Sequence, residues 1–175
     1  FLAMAAGCLQ PRPVWHAVRF TQTVFSEGEL GYIGRAYASG NILMATLATL
    51  RQNYLMGTCL YSVLPSLVIP FAGLLKNLVS FLFVGFIMAP LWTGSAVQNT
   101  YHSITLTLEL EAYVVVSFAI CVLPVRVFEG IRRGEWASQY MAGFRVLGSA
   151  VILVGIMLAI AAAYEATTLI LLNQL

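Results

Sequence analysis

Apolar residues in this chain gather in runs too long for the core helices of a soluble domain, with short polar clusters between them. Residues 1–9 (FLAMAAGCL) are apolar but too short to cross a bilayer, and they read as the tail of a helix that begins upstream. Residues 10–40 carry Arg12, Arg19, Arg35, Glu27 and Glu29 among several Gly and Pro, the pattern of a surface segment with short helices. Residues 41–50 (NILMATLATL) form an apolar half-span that ends at Arg51-Gln52-Asn53. From Tyr54 to Leu75 the chain is apolar again but holds Pro65 and Pro70. Each proline removes a backbone donor, so a helix here must kink, break or re-enter. A cleaner run covers Leu78–Pro90, and a weakly polar link follows through Asn99. Residues 101–123 form the next span, interrupted by Glu109 and Glu111, and residues 124–140 read as a loop or interfacial helix. Met141–Leu172 is a last span, longer than the ~20 residues a bilayer needs, with Arg145 snorkelling to the headgroups.

This pattern predicts an all-α, polytopic transmembrane helical bundle. It calls for about four spans, a truncated N-terminal span before them, and one Pro-broken or re-entrant helix. The expected division is a partial span and polar extracytoplasmic segment at residues 1–52, followed by the bundle at 53–175. Lys and Arg in the short loops place 124–140 and Lys76 inside, and 91–100 and the C-terminus outside. Arg12, Arg19, Arg35 and Arg51 then fall on the wrong side. A long translocated loop resolves this if residues 1–9 end an earlier span, and so does a re-entrant Pro65/Pro70 segment that never crosses. The first arrangement is preferred.

Composition agrees with the pattern. Of 175 residues, 60% are hydrophobic and 9% charged, about a third of the charge of a soluble domain. A free-standing soluble globule and a disordered chain are thereby excluded, and a net charge of +2 gives no basis for nucleic-acid binding. The expected partners are the lipid bilayer and other membrane proteins or a second copy of the chain. Cys8, Cys59 and Cys121 form no CxxC pair and read as buried thiols. His16 and His102 are the only histidines, too few for a two-histidine metal or haem site from this chain alone. No phosphate loop, nucleophile elbow or zinc motif appears, so neither a cofactor nor an enzymatic activity is expected. Ala142, Gly143, Gly148, Ala150, Gly155 and Ala159 suggest a closely packed face on the last helix, and Trp15, Trp92 and Trp136 suit interfacial anchors.

The acids that mark no loop carry the functional interest. A charged residue at the centre of a span costs about 2.5–3.5 kcal/mol on insertion scales, so Glu109, Glu111 and Glu165 should face protein or water. Glu109 and Glu165 each lie ~12 Å below the outer surface at 1.5 Å per residue, so neighbouring spans would bring them to one level. Glu111 points to another side of the helix. Tyr113, Tyr164, Thr105 and Thr107 are placed to hydrogen-bond these acids, and Arg51 and His102 can reach in from outside. Lys76, Arg126 and Arg145 are poor partners by depth. Such a level of acids is either a proton- or cation-responsive polar site or a set of interhelical hydrogen-bond clamps.

Asn53 near the start of a span, PFAGLL at 70–75, HSITLTLELEAY at 102–113 and AAAYEA at 161–166 together resemble the stage II sporulation protein M family over roughly residues 50–170. That family's pattern has a His–Gly–x–x–Glu-like segment. Here Thr105 stands four residues before Glu109, His102 is displaced by three, and Ser103 replaces the Gly. The resemblance implies a polytopic helical protein of a prokaryotic plasma membrane, multi-pass, with Asn53, Glu109 or Glu111, and Glu165 at its polar positions. It also implies a scaffold or assembly role in a cell-envelope complex. The alternatives from the residues are an export or transport component with a polar cavity at the Glu109/Glu165 level, and an accessory subunit of an energy-transducing membrane complex.

Overall fold

The computed structural model describes residues 11–26, 28, 30–87 and 96–172, and every element among them is helical. The expected partial span at residues 1–9, Cys8 and Trp92 lie outside the described residues. The helices are α1 (Pro11–Ser26), α2 (Gly31–Ala38), α3 (Ile42–Leu50), a π-helical segment (Arg51–Val63), α4 (Leu64–Val68), α5 (Ala72–Ile87), α6 (Ala96–Arg133) and α7 (Trp136–Leu172).

Among the described residues two helices, Thr100–Arg133 and Trp136–Leu172, are long and apolar enough to cross a membrane. Only 39% and 33% of their most apolar stretches are buried, so they are unlike the enclosed core helix of a soluble protein. Val114, Phe118, Phe128, Ile152, Ile156 and Ile160 point outward from them, as suits a hydrocarbon surrounding.

The expectation of a multi-pass bundle with about four spans is corrected to these two candidates. The reasons are local. The backbone is helical from Ile42 through Val68, with Leu50 and Leu64 both in the right-handed helical region. Arg51-Gln52-Asn53 nevertheless falls inside that stretch and leaves no uninterrupted apolar segment of span length. The helix then stops: Ile69 is extended at φ −114° and ψ 110°, and Phe71 takes a positive φ of 66°. Pro70 lies between them, while Pro65 falls just past the junction of the π segment and α4. After the turn, the described part of α5 has 16 residues, or ~24 Å of helix.

Two helix ends show why the chain breaks where it does. Asn41 caps α3 by accepting the Met44 N–H at 3.1 Å on its side-chain oxygen. Residues 124–133, expected as a loop or interfacial helix, continue α6 in spite of Pro124. That helix ends at Gly134, whose φ of 73° allows the Glu135 N–H to reach the Gly130 carbonyl at 2.8 Å and the Gly134 N–H to reach Ile131 at 3.3 Å. This is a Schellman closure, and it reverses the chain into α7.

The described residues fall into two compact units. One comprises those of Phe1–Thr49, Val79–Leu106 and Ala162–Leu175, with Ala45, Ala166 and Ile170 buried together beside Tyr37. The other comprises Leu50–Leu78 and Thr107–Ala161, with a core of Ala112, Val116, Ala119, Ile120, Leu123, Leu147, Val154 and Leu158. In this second unit a Cβ at Gly143 would lie 3.0 Å from Leu123, and one at Gly155 would lie 3.0 Å from the Tyr54 ring. These two glycines of the small-residue face are close-approach points. Gly148 has nothing within 4 Å of its Cβ position.

Candidate functional site

Within the second unit, polar side chains converge from four stretches of helix. Glu109, Tyr113 and Ser117 recur every fourth residue on α6 and so share one face. Thr58, Ser62 and Ser66 recur at the same interval through the π segment and α4. The Asn53 amide donates to Glu109 Oε1, and Tyr113 Oη donates to the Asn53 carbonyl at 3.1 Å. Thr58 Oγ1 donates to the same carbonyl at 3.0 Å. Gly57 permits this approach, because a Cβ there would fall on the Tyr113 hydroxyl. Three of the residues singled out from the sequence, Asn53, Glu109 and Tyr113, are therefore brought together.

The widened turns of the π segment are matched by its side chains. Thr58 bonds back to Asn53 and Ser62 to Gly57, both across five residues, at 3.0 and 2.7 Å. Insertion of an extra residue per turn is typical of helices that carry side-chain sites.

Below this pair the chain turns back, and α5 runs antiparallel to the segment it has just left. The Gly73 N–H, an orphan donor at the start of α5, is taken by Ser66 Oγ at 2.8 Å. Ser62 Oγ bonds Asn77 Oδ1 at 2.8 Å, and Asn77 Nδ2 donates to Ser117 Oγ at 2.9 Å. Lys76 Nζ donates to the Gly57 carbonyl, Asn77 Oδ1 and Ser62 Oγ at 3.1, 3.2 and 3.3 Å, and lies 5.2 Å from the centre of the Tyr113 ring. Depth along the chain makes Lys76 a poor partner for the acids, and the hairpin at Ile69–Phe71 brings it instead to these three neutral oxygens. Burial pulls the Lys76 ammonium below the usual lysine range.

A serine beside a lysine raises the question of nucleophilic catalysis. Ser62 is fully buried, and its hydroxyl already has the Gly57 carbonyl and the Asn77 amide oxygen as acceptors. Its hydroxyl is thus committed within the network.

The first unit holds a separate cluster. His102 Nδ1 lies 3.9 Å from Glu165 Oε1, with the two side chains 38% and 17% exposed. Tyr37 hydrogen-bonds the Glu165 side chain, and its hydroxyl is 3.1 Å from Thr49 Oγ1. If Tyr37 donates to the carboxylate, Thr49 must donate to Tyr37, which makes a relay of three groups. Glu109 and Glu165 thus each have a partner of their own. Tyr164 is half-buried, and its hydroxyl makes no hydrogen bond among the described residues. Glu111 is exposed. Thr105 is buried and bonds back to the Tyr101 carbonyl at 3.4 Å.

Sequence reasoning missed Tyr37, Thr49, Ser62, Lys76, Asn77 and Ser117. The four-residue spacing of Ser62 with Thr58 and Ser66, and of Ser117 with Glu109 and Tyr113, was the available signal. Nothing in the spacing pointed to Tyr37. A groove of about 440 Å³ on α6 is lined by Phe118, Cys121, Val122, Val125, Arg126 and Glu129, and neither Glu109 nor Glu165 borders it. Among the described residues no three His, Cys, Asp or Glu gather to hold a metal ion. No family model, curated protein or solved structure matches this chain.

Proposed function

We propose that this chain is a non-enzymatic, membrane-embedded helical subunit that scaffolds a complex of a prokaryotic cell envelope. Its acids act as hydrogen-bond clamps between helical segments. The observation that carries this reading is that Glu109 accepts a hydrogen bond from Asn53 on another helical segment, with Glu165 likewise beside His102 and Tyr37. A transport site needs its titrating groups open to a cavity or a water path, whereas a clamp needs them bonded across helices, which the Asn53–Glu109 bond supports. The resemblance to the stage II sporulation protein M family points the same way, since its polar positions correspond to Asn53, to Glu109 or Glu111, and to Glu165, and Asn53 pairs with Glu109.

Charge-neutral substitution provides the test. Glu109→Gln keeps Oε1 to accept from Asn53, and Glu165→Gln keeps an acceptor for Tyr37. In the native host, both variants should run in the same high-mass complex as the parent on native gels and restore its growth phenotype. Glu109→Leu, which strands the Asn53 amide, should lower the yield of that complex. Loss of function in either Gln variant with assembly intact would overturn the scaffold reading, because titration of the acid would then be required. A second reading, an export component, is favoured by one feature: the helix broken at Pro70, since discontinuous helices build transport sites. Uptake or efflux that is abolished by Glu109→Gln would select it.

A further inference from the structure

The surroundings of Lys76 are those of a bound cation. An alkylammonium has three N–H donors, and Lys76 directs them at three oxygens between 3.1 and 3.3 Å away, the Gly57 carbonyl, Asn77 Oδ1 and Ser62 Oγ. The Tyr113 ring closes a further side at 5.2 Å, within the range of a cation–π contact. All three oxygens belong to neutral groups. Divalent ions take carboxylates and more oxygens than this, whereas three acceptors and an aromatic face suit a small ammonium.

The oxygens are also held by bonds in which Lys76 takes no part. Ser62 Oγ is tied to the Gly57 carbonyl at 2.7 Å and to Asn77 Oδ1 at 2.8 Å. The Asn77 amide is in turn anchored on Ser117 at 2.9 Å. Ser62 and Asn77 are 0% and 1% exposed, so neither can swing out to water. The hydroxyl of Ser62 has one proton for two acceptors, and the ammonium supplies the donors that are lacking. Cutting Lys76 back therefore leaves an oriented set of oxygens with unmet acceptor capacity. That is a binding site, whereas a surface lysine would leave solvent.

We propose that Gly57, Ser62, Asn77 and Tyr113 form a site for a primary ammonium cation, filled in the native chain by the tethered side chain of Lys76. The site goes beyond the scaffold reading and does not depend on it. Its ligand class is a small alkylammonium, and the fragment missing from a Lys76→Ala side chain corresponds to n-propylammonium.

The experiment is chemical rescue of the full chain in mild detergent, read by thermal melting. Lys76→Ala should melt several degrees below the parent in sodium chloride. Propylammonium chloride should raise its Tm in a saturable way, whereas tetramethylammonium, which carries the charge without N–H donors, and sodium should not. The parent chain should respond to none of these salts. Parental melting of Lys76→Ala in sodium chloride would overturn the proposal, and so would equal effects of propylammonium and tetramethylammonium. Should Lys76→Ala fail to accumulate, the yield of monodisperse protein from cultures supplied with each cation is compared instead. A gain with propylammonium alone supports the site, and equal yields overturn it.

Discussion

Replacing Gly73 by alanine should destabilise the protein although it improves the helix. An alanine Cβ at this position would collide with the Ser62 carbonyl oxygen and sit 2.6 Å from Ser66 Oγ and 2.7 Å from the Ser62 carbonyl carbon. Two of these atoms are backbone, so no side-chain rotation relieves the overlap. The helices must part, and the bonds at risk are Gly73 N to Ser66 Oγ and Ser62 Oγ to Asn77 Oδ1, both 2.8 Å. Each contributes about 0.5–1.5 kcal/mol, and leaving buried Asn77 partly unsatisfied costs about 1–3 kcal/mol more. Against this, Gly→Ala in a helix contributes at most about 1 kcal/mol of stabilisation. The net expectation is a loss of roughly 2–4 kcal/mol. At about 2–4 °C per kcal/mol for a chain of this length, the melting temperature should fall by roughly 5–15 °C. Gly148→Ala is the internal control. Its Cβ meets nothing within 4 Å, so the same substitution should raise stability by about 0.5–1 kcal/mol. Thermal melting of both variants in one detergent gives the comparison. A Gly73→Ala protein that melts at or above the parent would refute the close antiparallel packing of α5 on the π segment.

Ser117→Ala removes the acceptor of the Asn77 amide at 2.9 Å, and because Asn77 is buried the loss should be about 1–3 kcal/mol in the same melting assay. Gly134→Ala forces a Cβ onto a residue with φ of 73°. It should lower stability by about 1–2 kcal/mol, whereas Gly134→Asn, which tolerates that region, should lose less. Tyr37→Phe keeps the ring beside Ala45, Ala166 and Ile170 but removes the hydroxyl bonded to Thr49 and Glu165. A loss of about 0.5–1.5 kcal/mol is expected, and melting indistinguishable from the parent would exclude the relay.

The part of the site that was legible in advance is the part whose chemistry is out of place. Glu109 and Glu165 stand out because a charge in an apolar run is expensive, Tyr113 is named with them by its place beside Glu109 and Glu111, and Asn53 comes in through the family resemblance. The uncharged members stand out much less. Ser62, Ser66 and Ser117 are ordinary residues in apolar helices, where Ser can bond back to its own backbone, and only their shared interval of four gives them a direction. Lys76 was set apart from the acids by depth, and its neutral partners were not legible, because only the hairpin brings it beside Gly57.

Composition and run length alone determined that the chain is helical, that it is poor in charge, and that residues from about 100 onward supply the two helices long and apolar enough to span a membrane. These properties depend on counts and periodicity, which a linear chain displays directly. Tertiary structure decided how many runs reach span length, which acid pairs with which partner, and which glycines are close-approach points. Gly148 and Gly155 look alike in sequence, yet one faces open space and the other a tyrosine ring. Likewise, Pro70 announces a break but leaves open which way the next helix runs. The direction is set at Phe71, where a positive φ sends α5 back along the helix just completed and places a lysine among oxygens from residues as many as 19 positions away. Contacts of that kind depend on the path of the backbone through space, which local spacing does not encode.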